Sequence, residues 1–167
     1  NLGVFMSMKK CIVSTSLKDF DKKTVDDAAK KIISFAKTSM PNEEYNGIAK
    51  GPFKYSDIEK TFDKKIADMQ DEKIDIVEDA VNTALANGAK RCAGVLETSS
   101  GKVYLTTSNG VEVDDVDTSI YLSLRSFAEK DASGACVCVS RILNDFDYKS
   151  KVIHASETAK KALNPSH

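Results

Sequence analysis

The fold class follows from one segment, Thr118-Ser119-Ile120-Tyr121-Leu122-Ser123-Leu124-Arg125-Ser126-Phe127-Ala128. Ile120, Leu122 and Leu124 alternate with Ser119, Ser123 and Arg125, and a period of two marks a strand with one buried face. At about 3.3 Å per residue the run extends roughly 36 Å, long for a strand. Ala135 to Leu143 reads as its partner, reached through Asp131 to Gly134. Upstream, Cys92 to Thr98 leads through Ser100-Gly101 into Lys102 to Thr107, a hairpin by length and turn chemistry. Asn109-Gly110 is the strongest turn signal in the chain, because both residues tolerate the positive φ of a tight turn.

Two more strands precede this block, over 4–8 and 10–16, with Ile12, Val13 and Thr15 giving β-branched weight. Val25, Ala28, Ala29, Ile32, Ile33 and Ala36 recur at three- and four-residue steps, predicting a helix from Lys22 to Lys37 that Asp19 or Asp21 caps and Met40-Pro41 ends. A second helix spans Asp71 to Asn87, with Ile74, Val77, Val81, Ala84 and Leu85 as its buried side and Gly88 as its left-handed stop. A third runs from Tyr148 to Leu163, burying Val152, Ala155, Ala159 and Leu163, with Asp145-Asp147 at its cap and Asn164-Pro165 at its end. Consecutive strands joined by short turns predict an α+β fold: a mostly antiparallel sheet with about three helices packed on one side. With 167 residues, 1–167 reads as a single domain.

Residues 39–70 fit that scheme least. Pro41, Gly47, Gly51 and Pro52 are interspersed with Tyr45, Phe53, Tyr55 and Phe62. Connections this long in compact domains are often arms or lids. Two readings stand: an extended strap whose aromatics pack on the sheet, or a mobile lid over a cleft. A short helix within Ile58 to Met69 would shrink the anomaly.

Composition excludes several functions. Lys+Arg 24 against Asp+Glu 25 gives a net charge of -1, and the basic residues include only Arg91, Arg125 and Arg141. No global field draws the chain to nucleic acid or to an anionic membrane, and Lys102-Val103-Tyr104 is a weak hint of a stacking face. No apolar run approaches a membrane span, and a basic-then-apolar signal pattern is lacking, so the expected location is cytoplasmic. The two histidines, His154 and His167, provide no helical pair for zinc. Cys11, Cys92, Cys136 and Cys138 are too irregularly spaced for a disulfide framework or zinc ribbon, and Cys136-x-Cys138 reads as two buried thiols on one strand face. Nucleotide-binding glycine loops and a serine-hydrolase elbow are missing. Asp114-Asp115-Asp117 suits a solvated turn better than a calcium loop. No catalytic and no metal-ligating residue is therefore assigned. The opening at Asn1 in an apolar run and the breaker at the other end point to a piece of a longer protein.

An ordered series of segments resembles the TldD/PmbA family, the modulators of DNA gyrase. It comprises Val13-Ser14-Thr15-Ser16-Leu17, Phe35-Ala36-Lys37, Thr61-Phe62-Asp63-Lys64-Lys65-Ile66 and Ala86-Asn87-Gly88-Ala89-Lys90-Arg91-Cys92-Ala93-Gly94-Val95-Leu96. Val103 to Glu112, Thr118-Ser119, Ser123 to Ala128, Ala132-Ser133-Gly134, Leu143 to Asp147 and Ala162-Leu163-Asn164-Pro165 complete it. The wording around Gly88 to Leu96 and Asn109 looks closer to archaeal PmbA (TldE-type) members. The resemblance implies the family's N-terminal domain, without its first helix and without the C-terminal domain. It implies a metallopeptidase built with a homologous TldD/PmbA subunit and acting on unfolded peptides or peptide precursors. Zinc is expected in the C-terminal domain of the catalytic subunit, and no cofactor in this chain. Thr107, Ser108, Asn109 and Gly110 match the family's turn, and Arg125, Ser133 and Gly134 its long-strand hairpin. They are candidate cavity or interface positions, each also explicable as a turn or strand pair. Two other classes of function stand beside this one: a module capturing extended peptides at an exposed sheet edge, and a regulator linked to gyrase.

Overall fold

The computed structural model describes residues 2–164. In chain order it contains β1 (Leu2–Met8), β2 (Cys11–Leu17), α1 (Lys22–Thr38), α2 (Lys64–Ala67), α3 (Glu72–Ala86), β3 (Arg91–Thr106), β4 (Glu112–Phe127), β5 (Ser133–Ser140) and α4 (Tyr148–Lys161). A 3-10 turn occupies Leu143–Asp145. The α+β class and antiparallel pairing are those predicted, but the strands divide between two sheets, β1-β2 and β3-β4-β5. Residues up to Phe53, together with Thr106–Glu112, form one compact unit; Lys54–Leu105 and the residues from Val113 onward form a second. Among the described residues no helix is long and apolar enough to cross a membrane. Asn1, Pro165 and His167, named above, lie outside the described residues.

In the first unit β1 and β2 pair antiparallel from Leu2↔Leu17 to Met8↔Cys11. Their two-residue turn is Lys9-Lys10, with φ of 50° and 58°, a conformation that asparagine and glycine adopt far more readily. Asp21 caps α1 by accepting the Thr24 amide at 3.0 Å. Ala28, Ile32 and Ala36 are the buried stripe of that helix, which packs on β1 and β2. Val25, Ala29 and Ile33 flank it, half-buried.

In the second unit the predicted face of β4 builds the core. Ile120, Leu122 and Leu124 are buried with Cys136 and Cys138 of β5, beneath Ala80 and Ala84 of α3 and Val152 and Ala155 of α4. Each such aliphatic side chain contributes about 1.5–3 kcal/mol by leaving water. The register runs from Ile120↔Ser140 to Phe127↔Ser133. Gly134 lets β5 approach α4: an added Cβ would lie 2.9 Å from Thr158 Cβ and 3.0 Å from the Ala159 nitrogen, and closer still to the Ala155 carbonyl oxygen. Asp147 caps α4 through the Ser150 amide at 3.3 Å. Gly88 follows α3 at φ 101°.

The structure corrects several predicted details. β3 passes straight through Ser100-Gly101, and the only turn between β3 and β4 is the one at Asn109-Gly110. The ladder explains it: Ser99 Oγ meets Ser119 Oγ at 2.9 Å and Lys102 meets Asp114 at 3.0 Å, so pairing with β4 continues on both sides of the glycine. On α3, Ile74, Val77 and Leu85 are 64%, 41% and 44% exposed, and the core side is Ala80 and Ala84. Small residues face inward there because α3 packs close along α4. Leu163, past the end of α4, is 44% exposed. The 39–70 segment contains the four-residue helix α2. Of its aromatics, Phe53, Tyr55 and Phe62 are 47%, 59% and 43% exposed, while Tyr45 is half-buried.

Candidate functional site

The seven candidate positions fall into two groups, one in each compact unit. Arg125 and Ser133 are diagonal neighbours on the outward face of the β4–β5 pair, where Arg125 lies opposite Ala135 and Ser133 opposite Phe127, and the Arg125 guanidinium donates to Ser133 Oγ at 3.0 Å. Gly134 is buried under α4 for the packing reason given above. Thr107, Ser108, Asn109 and Gly110 form the tip of the β3–β4 hairpin. Thr107 and Val111 close it through a 2.8 Å main-chain bond, and Gly110 takes φ 80°.

This tip is tied to the 39–53 segment. The Gly51 amide donates to the Asn109 carbonyl at 2.8 Å, and Asn109 Nδ2 donates to the Ile48 carbonyl at 3.1 Å. Gly51 and Gly110 meet so closely that a Cβ on Gly51 would lie 2.6 Å from the Gly110 oxygen. Ile48 then forms one wall of a pocket of about 260 Å³, whose other walls are Gly3, Val4 and Phe5 of β1 and Thr106, Thr107 and Ser108 of the hairpin. Of the candidates, Thr107 and Ser108 line the pocket, and Asn109 and Gly110 fasten its wall. Three hydroxyl residues and three apolar side chains suit a short length of extended polypeptide; they offer no pairing of nucleophile and base. Ile48 was not singled out in the sequence, and Gly51 stood there only among the glycines and prolines of the 39–70 segment.

Two of the other concavities lie beside strands. One of about 330 Å³ between β2 and α1 is lined by Ser14, Thr15, Thr24, Asp27, Lys31 and Phe35, among others. Another, of about 380 Å³, opens between α3 and the edge strand β3, where Val77, Ala80, Val81, Cys92, Leu96 and Leu122 contribute. Burial raises the thiol pKa of Cys92, and likewise those of Cys136 and Cys138, which favours the neutral thiol over the nucleophilic thiolate.

The polar groups with lowered pKa are structural. Asp63 accepts the Leu143 amide at 2.8 Å and the Lys65 amide at 2.9 Å, and these bonds hold its carboxyl below the usual range. Its own amide donates to Thr118 Oγ1 at 2.9 Å, and that hydroxyl donates to the Arg141 carbonyl at 2.9 Å. Asp79 is held low by the Tyr148 hydroxyl at 2.7 Å and Lys149 at 3.0 Å, while burial and the same carboxylate push the Tyr148 hydroxyl far up. Sequence reading missed both clusters, since their partners lie tens of residues apart. Among the described residues no three His, Cys, Asp or Glu side chains converge as a metal site, and His154 is exposed on α4.

Comparison with known proteins adds the following. The family model for the PmbA/TldA metallopeptidase central domain matches residues 66–164. An uncharacterised protein of Methanocaldococcus jannaschii is 31% identical over 136 residues, covering 80% of this chain and 31% of that protein. Among solved structures, a candidate modulator of DNA gyrase from Bacteroides thetaiotaomicron superposes with a TM-score of 0.77 at 18% identity, covering 95% of this chain and 38% of the other. A similarly described protein from Thermotoga maritima gives 0.77 at 15% identity, covering 95% and 36%. TldE from Thermococcus kodakarensis gives 0.74 at 15% identity, covering 96% and 37%. At these identities the structural likenesses establish the fold alone. The chain spans about a third of the length of these proteins.

Proposed function

The chain belongs to the PmbA/TldD metallopeptidase family, and we propose that it supplies non-catalytic cavity wall and subunit contacts to a peptidase acting on unfolded peptides or peptide precursors. In this reading residues 1–167 precede the C-terminal domain, the zinc centre lies in that domain of the catalytic subunit, and the partner is a homologous TldD/PmbA subunit in the cytoplasm. The observation that carries it is the exposed part of the β3–β4 hairpin. There Val103, Tyr104, Leu105 and Val116 are 64%, 71%, 39% and 38% exposed; the pleat of β3 sends Val103 and Leu105 to one face and Tyr104 to the other, so both faces of the hairpin offer apolar side chains to a partner. No three His, Cys, Asp or Glu side chains converge among the described residues, so no zinc ligand and no chemical step is assigned to them. Thr107, Ser108, Asn109 and Gly110, with Arg125 and Ser133, are the cavity or interface candidates, and Gly134 acts behind them by letting β5 approach α4.

A second reading has its own observation. β3 is an edge strand, and the apolar cleft beside it would accept alternate side chains of an added strand, so an extended peptide is the ligand of a non-enzymatic module. A gyrase-linked role draws on what the two bacterial proteins are described to be, but a net charge of -1 opposes direct contact with DNA.

The test uses the uninterrupted gene product with and without its homologous subunit. Zinc content, chelator-sensitive cleavage of an unfolded peptide and co-elution of the two subunits are measured, then repeated with Val103→Asp and Tyr104→Glu. Loss of co-elution and cleavage in the variants, with fold retained, is expected. Full cleavage by the variants refutes the contact role, and metal-independent peptide binding without cleavage favours the second reading.

A further inference from the structure

We propose that residues 48–51 are a lid over the pocket at the hairpin tip, hinged at Gly47 and fastened by Asn109. This takes up the lid alternative posed by the sequence, and it rests on the proposed function only for what passes beneath the lid. Three observations within the first unit carry it. The segment is anchored just upstream, where the Asn42 amide donates to the Lys10 carbonyl at 2.8 Å, Glu43 pairs with Lys10, and the Tyr45 amide donates to the Asn42 carbonyl at 3.0 Å. Next comes Gly47 at φ 95°, with nothing within 4 Å of where its Cβ would be. No close packing demands a glycine there; the backbone angle does, which is the property of a hinge in open space. Beyond it, Ile48 is both a pocket wall and the acceptor of the Asn109 side-chain bond.

The fastening is weak enough to open. It consists of one side-chain and one main-chain hydrogen bond to a tight Gly51–Gly110 seat. A side-chain bond of this kind changes an opening equilibrium by roughly three- to tenfold when removed. Closing, by contrast, is set by shape, because the seat admits no side chain at Gly51. The same short tip thus both lines the pocket and holds its cover.

Hydrogen exchange on the full gene product, read on peptides covering 46–53, tests the fastening. Asn109→Ala and Asn109→Asp, which lack the donor, should lower protection there about three- to tenfold and leave the β4, β5 and α4 amides unchanged. Gly51→Ala should do the same by unseating the loop. A reporter Val4→Cys, placed in the pocket, should then be alkylated by a maleimide several-fold faster in the Asn109→Ala background. Unchanged protection overturns the fastening. Equal loss across β1 and β2 overturns it too, by showing that the unit unravels. Faster exchange with an unchanged alkylation rate overturns the lid. These readouts involve neither zinc nor cleavage, so failure here is separable from failure of the peptidase reading.

Discussion

Replacing Thr118 by valine tests whether the long 39–70 connection is held by hydrogen bonds rather than by its aromatics. Thr118 is fully buried, and valine keeps its shape while deleting the hydroxyl. That hydroxyl accepts from the Asp63 amide and donates to the Arg141 carbonyl, both at 2.9 Å, so valine leaves one donor and one acceptor unpaired. At about 1–1.5 kcal/mol for each partly buried group left unsatisfied, the loss should be about 2–3 kcal/mol. For a chain of this size that lowers the melting temperature by about 5–10 °C. Urea unfolding followed by far-UV circular dichroism gives the free energy. Thr118→Ser is the control: it keeps both bonds, loses only a methyl, and should cost about 1 kcal/mol. A Thr118→Val loss below about 0.5 kcal/mol, or a serine variant as unstable as the valine one, would refute the argument.

Three more expectations are open to the same assays. Gly134→Ala should destabilise by about 1–3 kcal/mol or prevent folding, because its Cβ meets α4 backbone that cannot swing aside; a neutral result in urea denaturation would show that β5 and α4 separate easily. Lys9→Asn with Lys10→Gly should stabilise by about 1–2 kcal/mol, since both positions sit at positive φ and the Lys10–Glu43 pair given up is exposed; a lower urea midpoint would contradict this. Asp63 and Asp79 have lowered folded pKa values, so the unfolded chain binds more protons and stability grows with pH. Their contribution is complete above the unfolded carboxyl value of about 3.9 and should fade as pH falls through the lowered values, a decline that Asp63→Asn and Asp79→Asn should flatten in a pH series of urea midpoints.

What was legible in the sequence was local. The Asp21 and Asp147 caps, the Gly88 stop, the Asn109-Gly110 turn and the alternation of β4 each depend on residues within a turn or a strand of one another. Ser100-Gly101 misled because small residues and glycine look like a turn, while the ladder that keeps β3 straight is supplied by residues on β4. On α3 the apolar periodicity was real, but alanines take the core side because α4 lies close, and no pattern within α3 announces that. Half of the candidate site was visible as Thr107 to Gly110. Ile48, and the partnership of Gly51 with the tip, were not, because a contact closing across some sixty residues leaves no periodic trace.

The first unit is discontinuous: residues up to Phe53 are completed by Thr106–Glu112. During synthesis the Gly51 amide therefore has no partner until Asn109 has been made, some sixty codons later. At about 5–20 residues per second that wait is on the order of 3–12 s. Throughout it the nascent β1–β2 hairpin and α1 stand without Val111, one of the buried residues of their unit. The amino-terminal part of this polypeptide thus emerges first but finishes folding late, and a truncation ending at Phe53 would produce a fragment that never reaches its native state.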